Sequence, residues 1–175
     1  MHSVVAGFKI LLFSLLRNIK FSVLLSFNKS LSLHNNYFPM ETSRIVYTGD
    51  LRTEATHVKS GQTFITDAPV DNQGRGEAFS PTDLLATSLG ACAITVVGIA
   101  ARTHGFNVDG TKIKITKIMA SEPRRVSEVV VEFDFPPVKY SEKEKAIIQH
   151  TINTCPVNQS LSPGLTQTFI LNFSD

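Results

Sequence analysis

Apolar positions in this chain follow two periods, and one stretch dominates the pattern. Between Asp83 and Arg102 there is no charged residue, and Leu84, Leu85, Leu89, Ile94, Val96, Val97 and Ile99 cover more than one face of a helical period. Ser80 is a good N-cap, Pro81 suits the first helical position, Asp83 puts a negative charge in the first turn, and Gly105 can close the helix in a left-handed conformation. One long helix is predicted, surrounded on most sides, with Cys92 inside it. Small residues at Ala86, Gly90, Ala93 and Gly98 predict close approach by a neighbouring element. The stretch is long enough for a membrane span. Thr87, Ser88, Gly90, Thr95 and Gly98 dilute it, however, and its caps suit a helix that starts and stops inside a soluble domain, so no stable membrane insertion is expected.

Elsewhere the pattern is β. Arg44 to Thr48 is a short β-prone run, and Leu51 to Val58, Ser60-Gly61, then Thr63 to Thr66 read as strand, tight turn, strand. Asp67 to Glu77 has the Gly, Pro, Asn and Asp content of an ordered loop feeding the long helix. After Gly105, Thr111 to Thr116 and Glu128 to Phe135 alternate with period two, the second with Val129, Val131, Phe133 and Phe135 on one face. Ser121 to Arg125 is the turn between them. Pro136-Pro137 stops the strand, Ser141 and Glu144 form a capping box for a helix to about Thr154, and Pro156 ends or bends that helix at Cys155. A last strand, Thr166 to Phe173, places Phe169, Leu171 and Phe173 inward. Strands grouped around two helices predict an α+β layered fold with mainly antiparallel sheet.

Composition alters this picture at one end only. Residues 1–40 carry Lys9, Arg17, Lys20 and Lys29 and no acid, so the net charge of +2 conceals a body that is near-neutral and slightly acidic. That excludes a nucleic-acid surface as the expected function. Residues 1–39 are accordingly set apart as an N-terminal extension to a domain at 40–175. A start at Met40, a targeting segment and a membrane-associated arm are the alternatives for it, since Lys9 interrupts what a secretory signal would keep apolar.

Two cysteines without CxxC spacing exclude a disulfide scaffold, a thioredoxin-type site and a Cys-rich zinc site. His2, His34, His57, His104 and His150 form no three-ligand cluster, and no phosphate loop, dinucleotide fingerprint or serine elbow is present. Taken alone, Cys92 and Cys155 could equally serve as small buried hydrophobes.

The run Ser80-Pro81-Thr82-Asp83-Leu84-Leu85-Ala86-Thr87-Ser88-Leu89-Gly90-Ala91-Cys92, with Cys155-Pro156-Val157 further on and Gly49-Asp50-Leu51-Arg52-Thr53 upstream, resembles the OsmC/Ohr family of osmotically induced and organic-hydroperoxide-resistance proteins. The resemblance covers about residues 44–173 and is nearest the OsmC-like branch. It implies an OsmC-like fold in an intertwined homodimer, located in the cytoplasm, with sites at the subunit interface and no metal or organic cofactor. It further implies a thiol peroxidase in which Cys92 is the peroxidatic cysteine and Cys155 the resolving one, the substrate an organic hydroperoxide and the reductant an external dithiol. A thiol in an apolar helix needs a nearby cation, and Arg52 matches the family's arginine. The family's glutamate that holds this arginine follows the helix-start proline, where this chain has Thr82, with Asp83 beside it and Glu77 shortly before. Either Asp83 or Glu77 is then expected to hold Arg52, or Arg52 is not locked over the thiol and peroxidase activity is weak or absent. The departure keeps open a second class, a non-enzymatic dimer that binds a small apolar or thiol-reactive ligand or senses redox state.

Overall fold

In a computed structural model of the chain, which describes residues 40–174, the first β-prone runs form an antiparallel sheet of β1 (Ser43–Gly49), β2 (Arg52–His57) and β3 (Thr63–Asp67), in that order. The expectations for residues 1–39 lie outside the described residues. Gly61, at φ +71, makes the tight turn between β2 and β3, closed by bonds between His57 and Gly61 and between His57 and Gln62. That turn fixes the register, and the register sets Arg52 directly opposite Asp67. No strand of this sheet packs extensively on the rest of the unit, and β1 leaves Ile45, Val46 and Tyr47 each more than 60% exposed.

Helix α1 (Pro81–His104) starts and stops as its sequence predicts. The Asp83 N–H donates to Ser80 Oγ at 3.1 Å and the Ser80 N–H to Asp83 Oδ2 at 2.8 Å, while Gly105, at φ +78, donates its N–H back to Ala101 O at 2.8 Å. Its environment corrects the expectation of a helix covered on most sides. Only the stripe Ala86, Leu89, Gly90, Ala93, Val97 and Ala101 is buried, while Leu85 and Ile99 remain exposed. By length and composition α1 could cross a membrane; its buried stripe is instead the centre of the hydrophobic core.

That stripe packs on a second sheet of β4 (Lys112–Ser121), β5 (Arg124–Asp134) and β6 (Thr166–Asn172), and against α2 (Glu142–Asn153) and α3 (Pro156–Ser160). Val129, Val131, Phe133 and Phe135 are buried as the alternation predicts. Val126 joins them out of phase because a bulge skips Ser127, pairing Ile118 with Glu128 and Met119 with Val126. β4 and β5 are antiparallel, but β6 runs parallel to β5, the long connection through α2 and α3 allowing the chain to return in the same direction. Phe135 stacks on Phe173 at 4.8 Å, with Tyr140 edge-on at 5.5 Å to Phe173, closing the core at one end.

Candidate active site

The site residues fall into three clusters, each built by a different local device. The first is made by the β2–β3 register. Arg52 Nε donates to Asp67 Oδ1 at 2.6 Å, and Arg52 Nη2 donates to Asp67 Oδ2 at 2.8 Å and to Glu77 Oε2 at 2.7 Å. Asp67 Oδ2 also accepts the Glu77 N–H at 3.0 Å. The bonds to Asp67, then to Glu77, raise the Arg52 pKa above its already high ordinary value. The bond from Arg52 holds the Asp67 carboxyl below the usual range, against burial acting in the opposite sense. Sequence alone places Asp67 at the start of an ordinary loop and gives it no role. A signal is nonetheless present, since the Ser60-Gly61 turn sets it across from Arg52.

The second cluster occupies the start of α1 and corrects the alternative in which Asp83 holds Arg52. Asp83 Oδ1 pairs with Lys117 Nζ at 2.7 Å, and Lys117 also donates to Thr82 Oγ1 at 2.9 Å. Burial would raise the Asp83 pKa, but bonds from Lys117 and Ser80 outweigh it and hold the group below the usual range. Of the two carboxylates expected at Arg52, the structure brings Glu77 to it and gives Asp83 to Lys117. Lys117 lies on β4 in an alternating strand, and no sequence pattern marks it.

The third cluster is the thiol pair. Cys92, half-buried, packs against the core next to Cys155, which is buried. Pro156 breaks α2 as expected, but the chain then enters α3 with Cys155 itself as the cap, its Sγ accepting the Asn158 N–H at 3.4 Å. Burial raises the Cys155 pKa, the Asn158 N–H opposes this, and the adjacent Cys92 adds to it. Both thiols are free. Among the described residues, the bonds of the Arg52 guanidinium go to Asp67 and Glu77, and none joins it to either cysteine.

A cleft of about 650 Å³ lies between the first two clusters, floored by Phe64, Ile65, Phe79, Ala86 and Ile115 and rimmed by Glu77, Asp83 and Lys117. Among the described residues no group of His, Cys, Asp and Glu could hold a metal ion. Because the folded-state pKa values of Asp67 and Asp83 are depressed, their stabilisation is complete above the ordinary carboxylate range and is lost as pH falls through the depressed values. Thermal melts are expected to show a steep loss of Tm below about pH 4 that is flattened in the Asp67→Asn/Asp83→Asn double variant.

Residues 74–169 match the sequence model of the family described as OsmC-like protein. A crystal structure from Psychrobacter arcticus 273-4, provisionally described as an osmotic stress induced and detoxification response protein, is 49% identical. It covers 78% of this chain and 98% of its own, with a TM-score of 0.74. The organic hydroperoxide resistance protein OsmC of Legionella pneumophila has the same fold at 12% identity, covering 76% of this chain and 98% of its own, with a TM-score of 0.61. So does a Vibrio cholerae protein, provisionally described as an organic hydroperoxide resistance protein and carrying captopril in one of its active sites. Its identity is 13%, its coverage 79% of this chain and 96% of its own, and its TM-score 0.61. No curated protein matches the sequence.

Proposed function

Because the chain belongs to the OsmC family, we propose that within the redox-related role of that family it is a cysteine-based reductase of organic hydroperoxides. The observation that carries this reading is the meeting of Cys92 and Cys155, which come from different helical segments and lie next to each other. The names of the Legionella and Vibrio relatives agree with this substrate class.

In the proposed reaction the Cys92 thiolate attacks one oxygen of the O–O bond. An S–O bond forms, the O–O bond breaks, and the alkoxide leaves and takes a proton as the alcohol. The resulting sulfenic acid is attacked by Cys155, forming the disulfide and releasing water. An external dithiol then supplies two electrons by thiol–disulfide exchange and restores both thiols. The raised pKa of Cys155 suits the second role, because a protonated, buried thiol does not compete for peroxide. Arg52 supplies the cation, with Nη1 as the donor its two carboxylates leave uncommitted.

The proposal includes a homodimer. An isolated three-stranded sheet with apolar side chains exposed on both faces needs a further layer, and Ile45, Val46 and Tyr47 of β1, Phe64 of β3 and Ile99 on the outer face of α1 supply one surface for it. Packing against a second copy also offers a route by which Arg52 reaches a thiol pair. The proposed domain runs from Met40 and the proposed location is the cytoplasm, where the cellular reductants keep thiols reduced.

The test exposes reduced full-length protein to cumene hydroperoxide and to H₂O₂ and follows peroxide loss, with mass spectrometry on both cysteines. The expected result is consumption of the organic peroxide faster by about tenfold or more, with a Cys92–Cys155 disulfide after one equivalent. A second reading, a dimer that binds a small apolar ligand without turnover, is favoured by one observation: the apolar floor of the cleft lies beside the Arg52 and Lys117 clusters rather than at the thiols. Survival of both thiols through stoichiometric peroxide would sink the first reading and leave the second.

A further inference from the structure

We infer that Asp67 is the positioning residue that aims Arg52, setting the direction of its free donor edge for the chemistry proposed above, on which this inference rests. Arg52 and Asp67 are direct partners in the β2–β3 register, so their side chains leave the same face at one level. Two parallel bonds, Nε to Oδ1 at 2.6 Å and Nη2 to Oδ2 at 2.8 Å, match the planar fork of a guanidinium to both oxygens of one carboxylate. A single bond would leave the plane free to rotate; the pair fixes it and points Nη1 away from the carboxylate.

Burial ranks the two carboxylates. The Asp67 side chain is 2% exposed and that of Glu77 61%. The bond to Glu77 is therefore screened by water and salt, while that to Asp67 is screened much less. Asp67 also governs Glu77, because its Oδ2 accepts the Glu77 backbone N–H and so fixes the point from which that side chain reaches Arg52. The helix start offers no replacement, since Asp83 and Thr82 are engaged by Lys117. The aim of Arg52 is thus set by its partner in the hairpin, with Glu77 returned to it by the loop that leads into α1.

The experiment compares full-length wild type with Asp67→Asn, Asp67→Glu and Glu77→Gln, by steady-state peroxide reduction and by the pH dependence of Cys92 alkylation with iodoacetamide in the absence of peroxide. Asp67→Asn keeps one acceptor and turns the other into a donor facing Nη2. It is expected to lower kcat by about 30- to 100-fold with little change in KM, the size of effect that follows a misaimed group. The same variant is expected to move the Cys92 alkylation midpoint to higher pH, which a purely structural role would not do. Asp67→Glu keeps the charge but not the register geometry and is expected to lose about tenfold, whereas Glu77→Gln should lose less than about fivefold. Wild-type behaviour of Asp67→Glu, or equal losses at Asp67 and Glu77, overturns the inference. If wild type consumes no peroxide yet Asp67→Asn shifts the alkylation midpoint, the positioning role stands and the peroxidase reading falls. An active wild type with no shift in either readout for Asp67→Asn does the opposite: the peroxidase reading stands and the positioning role falls.

Discussion

Peroxide consumption is expected to fall by at least about a thousandfold in Cys92→Ser, because a serine hydroxyl in the same place is neither ionised nor nucleophilic toward an O–O bond. The other thiol cannot take over, since Cys155 is buried and its pKa is raised by that burial. Cys155→Ser is expected to behave differently. Its first turnover should proceed near the wild-type rate and stop at a sulfenic acid on Cys92, which dimedone traps and mass spectrometry locates. The fold should survive both substitutions, as Ser is smaller than Cys by little and Cys92 lies at the edge of the buried stripe. Rapid-mixing kinetics on the two variants therefore separate attack from resolution. Equal loss in the first turnover for both would show the pair to act as a structural unit, and the assigned roles would fall.

What is legible in the sequence divides from what is not along a physical line. Features fixed by neighbours in the chain are legible: both caps of α1, the Ser60-Gly61 turn, the inward face of β5 and the break at Pro156. Features fixed by distant partners are not. Hydrophobicity marks α1 as apolar on more than one face, but it does not distinguish a face buried within the chain from one left exposed, and Leu85 and Ile99 are exposed. The parallel pairing of β6 depends on how the long connection folds, and the phase of Val126 depends on one skipped residue, Ser127. At the site, the roles proposed for the cysteines and Arg52 come from family resemblance. Those of Asp67 and Lys117 do not, because a loop aspartate and a strand lysine have no distinguishing pattern until the register and the helix start lie next to them.

Gly74→Ala is expected to be the most damaging of the glycine substitutions, and its effect should reach the site from a loop that carries no chemistry. A Cβ at Gly74 would stand 1.6 Å from Ala68 O and 2.1 Å from Ala68 C. These are backbone atoms and have no rotamer to change, so the segment itself has to move. The segment from Ala68 to Glu77 is held closed by Gly74 N–H to Pro69 O at 3.0 Å and Gly76 N–H to Ala68 O at 3.3 Å. Asp67 leads into it and Glu77 closes it, and these are the residues that hold Arg52. Opening it should cost about 2–3 kcal/mol, as forced overpacking does, and lower peroxide turnover by about tenfold or more as the hold on Arg52 loosens. Gly90→Ala provides the contrast. Its new Cβ would meet Ile115 Cδ1 at 2.7 Å, the end of a rotatable side chain, and Val131 Cγ1 at 3.4 Å. The better helix propensity of Ala offsets part of that contact, so the net change should stay within about 1 kcal/mol. Chemical denaturation of both variants checks the ranking. A Gly74→Ala protein as stable and as active as wild type would mean that the 68–77 loop adopts another path in solution, and that Arg52 is aimed by something other than the residues at its two ends.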